Sequence, residues 1–175
     1  LNDRFYKQNE FGTAGIRGRT IGKVTPPSEA GTRDSLGAPQ FSGAGSAILN
    51  DLNILKATVG LFRYAKKYLE NTSHTYEAPK LIIAHDVRHF SRHFAELTAS
   101  AWVALGGRAL LFDAPRSTPQ LSYSVRYTRS TCGVVITASH NPAHDNGYKV
   151  YFDDGSQIVA PHDKGIIDEV NAVAF

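Results

Sequence analysis

Short apolar runs alternate with longer segments through most of this 175-residue chain, and that alternation constrains its fold more than any other feature. The apolar runs at 80–84, 108–112 and 132–136 have the length of buried strands. The segments between them predict helices: 91–105 is amphipathic and ends at a glycine pair, and 118–128 carries a proline in its first turn. Strands that alternate with helices are typical of a parallel sheet with crossover helices.

The flanking segments extend this pattern. Asn50 or Asp51 can cap a helix that runs to about Leu69, with an apolar stripe at Leu52, Leu55, Val59 and Phe62. A further strand is predicted at 148–152 and a last helix at 161–173. We therefore expect a single α/β domain over 1–175, with a mixed, mostly parallel sheet and crossover helices on both faces.

One segment departs from the alternation. Residues 22–46 are rich in Gly, Pro, Ser and Thr and contain few large apolar side chains. Loops of this length are uncommon unless they are functional or disordered. We expect a long flexible loop.

Composition narrows the possible partners and locations. The formal net charge of +3 is compatible with an anionic small-molecule ligand and is too weak to indicate nucleic acid, so we expect no nucleic-acid partner. Cys132 is the single cysteine, which excludes an internal disulfide and favours a cytoplasmic location. No apolar run approaches the roughly 20 residues that span a bilayer, so we expect no membrane association. The chain contains no methionine, and we expect it to be a fragment of a longer protein.

The sequence TASHNP at 137–142 contains the first candidate for chemistry. Ser139 follows a predicted buried strand, and ligands of parallel sheets bind at the carboxyl ends of strands. A phosphoserine there, with roughly −1.5 to −2 charge, needs several hydrogen-bond donors, which His140 and Lys149 can supply. A Ser-His-Asp triad is disfavoured because adjacent side chains point in different directions in extended chain. An ordinary turn remains an open alternative, since Ser, Asn and Pro favour turns.

Three other patterns are weaker candidates. In FGTAGIRG at 11–18 the glycines permit close approach of a ligand and Arg17 can bind phosphate. Taken alone, this motif favours a glycine-rich turn with a solvated arginine, because glycine-rich loops are common. Asp86 and Arg88 follow a strand and could face a site or form a weak surface ion pair. A metal interpretation of the histidines lacks a third ligand at matching spacing, so we favour solvated side chains for His85, His89, His93, His140 and His144.

Taken together, the motifs at 11–18, 137–142 and 146–149 resemble the α-D-phosphohexomutases, which include phosphoglucomutase and phosphomannomutase. Their order and separations resemble the first of the four domains of such enzymes. Finer features at 145–151 and 157–165 are similar to the eukaryotic phosphoglucomutase-2 and phosphopentomutase branch. Relative to that branch, residues 22–46 look like an insertion.

The resemblance implies a mechanism. Ser139, phosphorylated at rest, would convert glucose 1-phosphate to glucose 6-phosphate through a bisphosphate intermediate. Mg²⁺ would contact the phosphate on Ser139, and glucose 1,6-bisphosphate would act as activator. Arg17 and Lys149 would face the phosphoryl group, Lys149 as a general base, while His140 would hold the loop or donate a hydrogen bond. The implied substrate or phosphate ligands are Arg17, Gly12, Thr13, Asn141 and Arg88.

The same resemblance implies that this is an N-terminal domain. The family's Asp-Gly-Asp-x-Asp metal loop and its sugar-selecting domains have no counterpart here, and residues 153–155 do not match that loop. We expect the remaining mutase domains and sugar phosphates as partners, and no turnover by these 175 residues alone. Phosphopentomutase, phosphomannomutase or glucose 1,6-bisphosphate synthase activity and a non-catalytic regulatory module remain alternatives.

Overall fold

The architecture is an α/β sandwich, seen in a computed structural model that describes residues 2–12, 14–35, 37–72 and 78–174. Its strands are β1 (Gly15–Arg19), β2 (Lys80–His85), β3 (Arg108–Leu111), β4 (Cys132–Ile136) and β5 (Asp145–Phe152). Its helices are α1 (Asn2–Phe5), α2 (Pro27–Ala30), α3 (Asp51–Asn71), α4 (Ser91–Ala104), α5 (Thr118–Tyr127) and α6 (His162–Asn171).

The strands form one sheet in the order β1-β5-β4-β2-β3. Strand β2 pairs in parallel with β3 and β4, whereas β5 is antiparallel to β4 and to β1. Four strands therefore run in one direction and only β5 is reversed, because a short loop returns the chain directly from β4 to β5. The prediction of a mixed, mostly parallel sheet is confirmed.

Helices cover both faces of the sheet, as predicted. Leu81 and Ile83 pack into the main core with α3, α4 and α6, whereas Ile82 and Ala84 pack with α5. This alternation follows from the two-residue period of a strand. Because both faces are covered, β4 is buried at every position, which explains its uninterrupted apolar sequence.

Helix α3 begins where predicted but buries a different face. The Asn50 side chain accepts a hydrogen bond from the Asn53 N–H at 3.2 Å and caps the helix. The predicted stripe is right at Phe62, which is buried, and wrong at Leu52, which is exposed; Leu55 and Val59 are only half-buried. The rest of the buried face includes Ile54, Ala57, Leu61 and Ala65. A small residue on this face lets α3 pack closely against α6, since a Cβ at Gly60 would lie 2.4 Å from the Val170 side chain.

The described residues of the segment 22–46 pack against other parts of the domain. The segment contains α2, and the Arg4 guanidinium binds both oxygens of Glu29, with 2.8 Å between Nη2 and Oε2. Arg4 and Glu29 are each only 8% exposed. The Asn50 side chain also donates to the carbonyls of Gly43 and Gly45 at 3.1 and 3.0 Å. These polar anchors were not apparent from composition; flexibility of the segment in solution stays a prediction.

Candidate active site

Ser139 lies on the loop that joins β4 to β5, residues 137–144, which we call the Ser139 loop. Its side chain is exposed at the carboxyl end of β4, and its φ of 57° places it in the left-handed region. That conformation costs a non-glycine residue about 1–2 kcal/mol, so surrounding contacts must hold it. The predicted turn is present, and it presents one hydroxyl to solvent.

Lys149 is the hydrogen-bond partner of that hydroxyl. Its Nζ donates to Ser139 Oγ at 2.6 Å. The position of Lys149 is set by the antiparallel pairing of β5, in which Lys149 lies opposite Val135 of β4 and opposite Gly15 of β1. His140 is exposed, and it has no hydrogen bond or ion pair with any residue that the structure describes. Ser139 and Lys149 form a serine–lysine pair, and in the described structure His140 does not hydrogen-bond to Ser139 as the base of a triad would.

Arg17 shares the electrostatic environment of Lys149. Arg17 lies opposite Gly147 on the neighbouring strand, and residues 147 and 149 have the same facing, so both cations project from one face of the sheet. Burial lowers the pKa of Lys149 below its ordinary value; the charge of Arg17 lowers it further, Asp86 opposes the shift, and Arg88 adds a smaller lowering effect. Two of the predicted cations are therefore brought together beside Ser139.

Glycines allow β1 and the Ser139 loop to approach β5. Gly15 has a φ of 127°, and a Cβ there would lie 1.9 Å from the Tyr148 carbonyl oxygen. At Gly147, a Cβ would lie 2.6 Å from the Thr137 carbonyl oxygen. Gly12 and Gly15 exchange two backbone hydrogen bonds of 2.8 and 3.1 Å, which close a tight turn. A Cβ at Gly12 would meet only ordinary contacts, so its phosphate-binding role stays a prediction; Thr13 lies outside the described residues.

Arg88 contacts the Ser139 loop from the connection between β2 and α4. Its Nη1 donates to the carbonyls of Pro142 and Asp145 at 2.9 and 3.3 Å, and its Nη2 donates to the Ser139 carbonyl. Its Nε pairs with the Asp86 carboxylate at 3.1 Å. The pair faces the site and is not a solvated surface ion pair. Most of the guanidinium donors are directed at protein, so these contacts favour holding the loop over direct binding of phosphate.

Asn141 also binds within the loop. Its Nδ2 donates to the Asp145 carboxylate at 3.0 Å, and its backbone N–H donates to the Ala138 carbonyl at 3.1 Å. The side chain thereby joins the end of the loop to the start of β5. A role in binding a substrate phosphate stays a prediction.

Two polar residues of the site were missed by the sequence reasoning. Thr137 Oγ1 accepts a hydrogen bond from the Ser139 N–H at 3.0 Å. Asn146 is fully buried and donates to the His89 carbonyl at 3.1 Å and to Ser91 Oγ at 2.8 Å. A polar side chain next to buried strand residues could have indicated both, because a buried polar group needs a partner.

The described residues alone do not form a magnesium site. They contain no group of three or more His, Cys, Asp or Glu side chains placed to hold a metal ion. The group that hydrogen-bonds to Ser139 Oγ is the cationic amine of Lys149, whereas Mg²⁺ prefers oxygen ligands. The five histidines considered from the sequence do not form a cluster of metal ligands among the described residues: His93 Nε2 lies 2.9 Å from Asp51, and His89 Nδ1 lies 4.0 Å from Asp34. The expectation of a solvated side chain is wrong for His85, which is buried with its Nδ1 2.9 Å from the Asp86 carbonyl oxygen.

A family model described as "Phosphoglucomutase/phosphomannomutase, alpha/beta/alpha domain I" matches residues 8–175. The chain belongs to this family. Relatives within it include a phosphopentomutase from Mus musculus, 38% identical over 95% of this chain, and a glucose 1,6-bisphosphate synthase from Homo sapiens, 34% identical over 95%. A phosphoglucomutase from Staphylococcus haemolyticus is 36% identical over 88% of the chain.

This phosphoglucomutase/phosphomannomutase domain spans only about a quarter of those relatives: 24%, 24% and 23% of their lengths, respectively. The fold agrees with the family as well. A phosphoglucomutase/phosphomannomutase family protein from Burkholderia thailandensis superimposes with a TM-score of 0.64 over 94% of this chain and 30% of that protein, at 17% identity. At that identity the likeness concerns the fold alone. None of the helices in the described part of the domain is long and apolar enough to cross a membrane.

Proposed function

We propose that this domain carries the phosphoryl group of a phosphosugar mutase on Ser139, within a larger multidomain protein. The observation that carries the proposal is the 2.6 Å hydrogen bond from Lys149 Nζ to Ser139 Oγ, at the exposed carboxyl end of a central strand. Exposure gives a substrate access to the hydroxyl, and the ammonium group compensates charge on it. The proposed reaction interconverts glucose 1-phosphate and glucose 6-phosphate.

The proposed cycle has two transfers. In the first, the 6-hydroxyl of glucose 1-phosphate attacks the phosphorus on Ser139, and the bond between that phosphorus and Ser139 Oγ breaks as the new ester forms. The sugar hydroxyl gives up one proton and the departing Ser139 oxygen takes up one, with Lys149, which is hydrogen-bonded to that oxygen, able to exchange it. The products are glucose 1,6-bisphosphate and the free serine. In the second transfer, Ser139 Oγ attacks the 1-phosphate, so that glucose 6-phosphate leaves and the serine is phosphorylated again.

The residues around Ser139 have proposed roles that follow from charge. Phosphoryl transfer depends on in-line placement and on neutralising charge that develops on the moving group and on the leaving oxygen. Lys149 stabilises the departing Ser139 oxygen through its hydrogen bond, and its lowered pKa suits proton exchange with a sugar hydroxyl. Arg17 supplies a second positive charge on the same face. His140 is exposed beside the serine and can donate to a phosphate oxygen once Ser139 is modified.

Magnesium and glucose 1,6-bisphosphate remain proposals at the level of the whole protein. The described side chains of this domain do not fit a complete Mg²⁺ site, and a phosphate on Ser139 would supply only part of a ligand set. Other domains would have to supply the remaining ligands and the sugar contacts. We propose these domains as the partners of this one and the cytoplasm as its location.

A test replaces Ser139 in the full-length protein. Ser139→Ala removes the phosphoryl acceptor, so we expect conversion of glucose 1-phosphate to fall by at least about 1,000-fold, as for loss of a covalent nucleophile. Ser124→Ala, a change to another hydroxyl on α5, is the matched control and should leave the rate unchanged. Activity of the Ser139→Ala protein at the wild-type rate would refute the proposed carrier.

A pentose phosphate is the second candidate substrate, and a specific observation favours it. The Mus musculus relative at 38% identity is named a phosphopentomutase, while the Staphylococcus haemolyticus phosphoglucomutase is 36% identical. Comparing kcat/KM of the full-length protein for glucose 1-phosphate and ribose 1-phosphate separates the two. The Homo sapiens relative is named a glucose 1,6-bisphosphate synthase, so synthesis of that compound is a further candidate activity. It would require a phosphoryl donor other than the sugar monophosphates, and it can be measured in the same assay with that donor present.

A further inference from the structure

Asp86, at the end of β2, has a carboxylate whose hydrogen-bonding capacity is filled by four donors. Its Oδ2 accepts from Thr137 Oγ1 at 2.6 Å and from Arg88 Nε at 3.1 Å. Its Oδ1 accepts from Ser91 Oγ at 2.6 Å and from the Arg88 N–H at 3.0 Å. A carboxylate accepts about four hydrogen bonds, so no acceptor site is left for a substrate or a metal.

Two residues that donate to Asp86, Thr137 and Arg88, also hydrogen-bond to the backbone of Ser139. The Thr137 hydroxyl donates a hydrogen bond to the Asp86 carboxylate and accepts one from the Ser139 N–H at 3.0 Å. On the other side, Arg88 pairs with Asp86 through Nε and donates to the Ser139 carbonyl through Nη2. The amide N–H and the carbonyl of one residue are therefore both held by side chains that a single carboxylate orients.

The conformation of Ser139 needs such support. Its φ of 57° costs about 1–2 kcal/mol relative to an ordinary extended or helical residue. A change in this φ would displace Oγ relative to Lys149, since rotation about the Ser139 backbone carries the side chain with it. Holding both the N–H and the carbonyl fixes the direction of the Cα–Cβ bond.

We propose that Asp86 is a positioning residue for phosphoryl transfer, which fixes the left-handed Ser139 through Thr137 and Arg88 and thereby aims Oγ along the line of transfer. The inference rests on the proposed function, because it assigns Asp86 a role in the reaction of Ser139. Asp86 contacts neither Oγ nor Lys149 by a hydrogen bond in the described structure, so it acts through its two partners.

The sharpest test removes one hydroxyl. Thr137→Val keeps the size of the side chain but breaks the link between Asp86 and the Ser139 N–H, whereas Thr137→Ser keeps it. Displacement of a reacting atom by about 1 Å can cost about 100-fold in rate. In the full-length protein, we expect Thr137→Val to slow labelling of Ser139 by phosphoryl-labelled glucose 1,6-bisphosphate by about 10- to 100-fold, with KM changed less than about threefold. Thr137→Ser should recover most of the loss.

Asp86→Asn is the second variant. The amide puts an NH₂ group in place of one carboxylate oxygen, where two donors already point, so two of the four hydrogen bonds lose their acceptor without a change in side-chain size. We expect a loss of kcat at least as large as that of Thr137→Val, again with little effect on KM. Asp168→Asn, the same substitution on an exposed carboxylate of α6, is the matched control, and a thermal melt of each variant verifies that it is folded.

The outcomes separate the inference from the proposed function. If wild-type protein does not label Ser139, the proposed function fails and the inference fails with it. If wild type labels Ser139 and folded Thr137→Val and Asp86→Asn proteins label it at the wild-type rate, the inference alone is overturned. A rise in KM with unchanged kcat in both variants would also overturn it, because it would indicate a role in binding instead of positioning.

Discussion

Ser139 and Lys149 form the pair on which the account depends at the scale of single residues. A protonated amine 2.6 Å from Oγ stabilises a negative oxygen far better than water does, because it is already in place before charge develops. The pair was partly predictable, since both residues lie in motifs that resemble one family. Their contact was not, because it depends on the antiparallel return of β5.

Lys149→Met tests that pair. Methionine keeps the length of the side chain and removes the charge, and loss of one preorganised donor typically costs about 100- to 1,000-fold in rate. We expect kcat of the full-length protein to fall by that factor, measured with glucose 1-phosphate. Lys164→Met on α6 is the control and should leave kcat unchanged. An unaltered kcat for Lys149→Met would contradict the role of the ammonium group.

Gly15 tests the packing of β1 on β5. Gly15→Ala brings a Cβ within 1.9 Å of the Tyr148 carbonyl oxygen at a φ of 127°, so β1 must move. Gly106→Ala has a similar positive φ, 96°, with no atom within 4 Å of the new Cβ. We expect chemical denaturation to show a loss of about 1 kcal/mol for Gly106→Ala and of about 3 kcal/mol or more for Gly15→Ala. Equal losses of stability in the two variants would show that the positive φ accounts for the whole effect and that the close contact with Tyr148 adds nothing.

At the scale of elements, the sequence predicted regular strands and helices best where the pattern was continuous. The apolar run of β4 has the observed bounds, and α4 and α5 end within a residue of their predicted ends. Strand β1 was missed because two arginines and two glycines in five residues carry no strand pattern. Strand β1 forms because it pairs with β5. Strand β5 begins at Asp145, three residues before its predicted start, and this part was missed because its first residues are polar or glycine.

The packing of 22–46 illustrates a second limit of sequence reasoning. Composition identified a segment with few apolar residues but did not show that Arg4 and Glu29, 25 positions apart, would pair in a buried position. Burial alone would raise the pKa of Glu29, but hydrogen bonds from Arg4 and the Ala44 N–H, with the charge of Arg4, outweigh it and lower the pKa below its ordinary value.

The Glu29 carboxylate should make the stability of the domain depend on pH. Because its pKa is lower in the folded state, its contribution is full above the unfolded-state value of about 4.5 and is lost as pH falls through the lower folded-state value. We expect the difference in free energy of unfolding between wild type and Glu29→Gln to be largest near neutral pH and to shrink below pH about 4.5, measured by urea denaturation. A difference independent of pH between 7 and 3 would argue against this ion pair.

At the scale of the whole molecule, the domain contains one part of the proposed active site. The described residues place Ser139, Lys149 and Arg17 on one face but contain no metal-binding cluster, and the domain spans 24% of its phosphopentomutase relative. The sequence could predict the serine and the two cations through motif resemblance. It could indicate that Thr137 and Asn146 need hydrogen-bond partners, but not which partners they have or that Asp86 joins them in a network, because those contacts depend on which loops meet at the sheet edge.

The isolated domain should therefore be inactive. We expect these 175 residues to fold and to show no conversion of glucose 1-phosphate above background in an assay coupled to glucose 6-phosphate dehydrogenase, with the full-length protein as positive control. The physical reason is the proposed division of the site: phosphoryl transfer needs in-line placement of the sugar, and other domains would supply the sugar contacts. Sustained turnover by the isolated domain would contradict the division of the site between domains.

The most direct test of the central claim follows the phosphoryl group itself. Full-length protein is incubated with glucose 1,6-bisphosphate labelled on phosphorus, digested, and mapped by mass spectrometry, and a parallel sample is chased with unlabelled glucose 1-phosphate. We predict label on Ser139 that leaves completely on the chase and reappears in sugar bisphosphate and glucose 6-phosphate. Label absent from Ser139, or label on Ser139 that the chase cannot remove, would contradict the account.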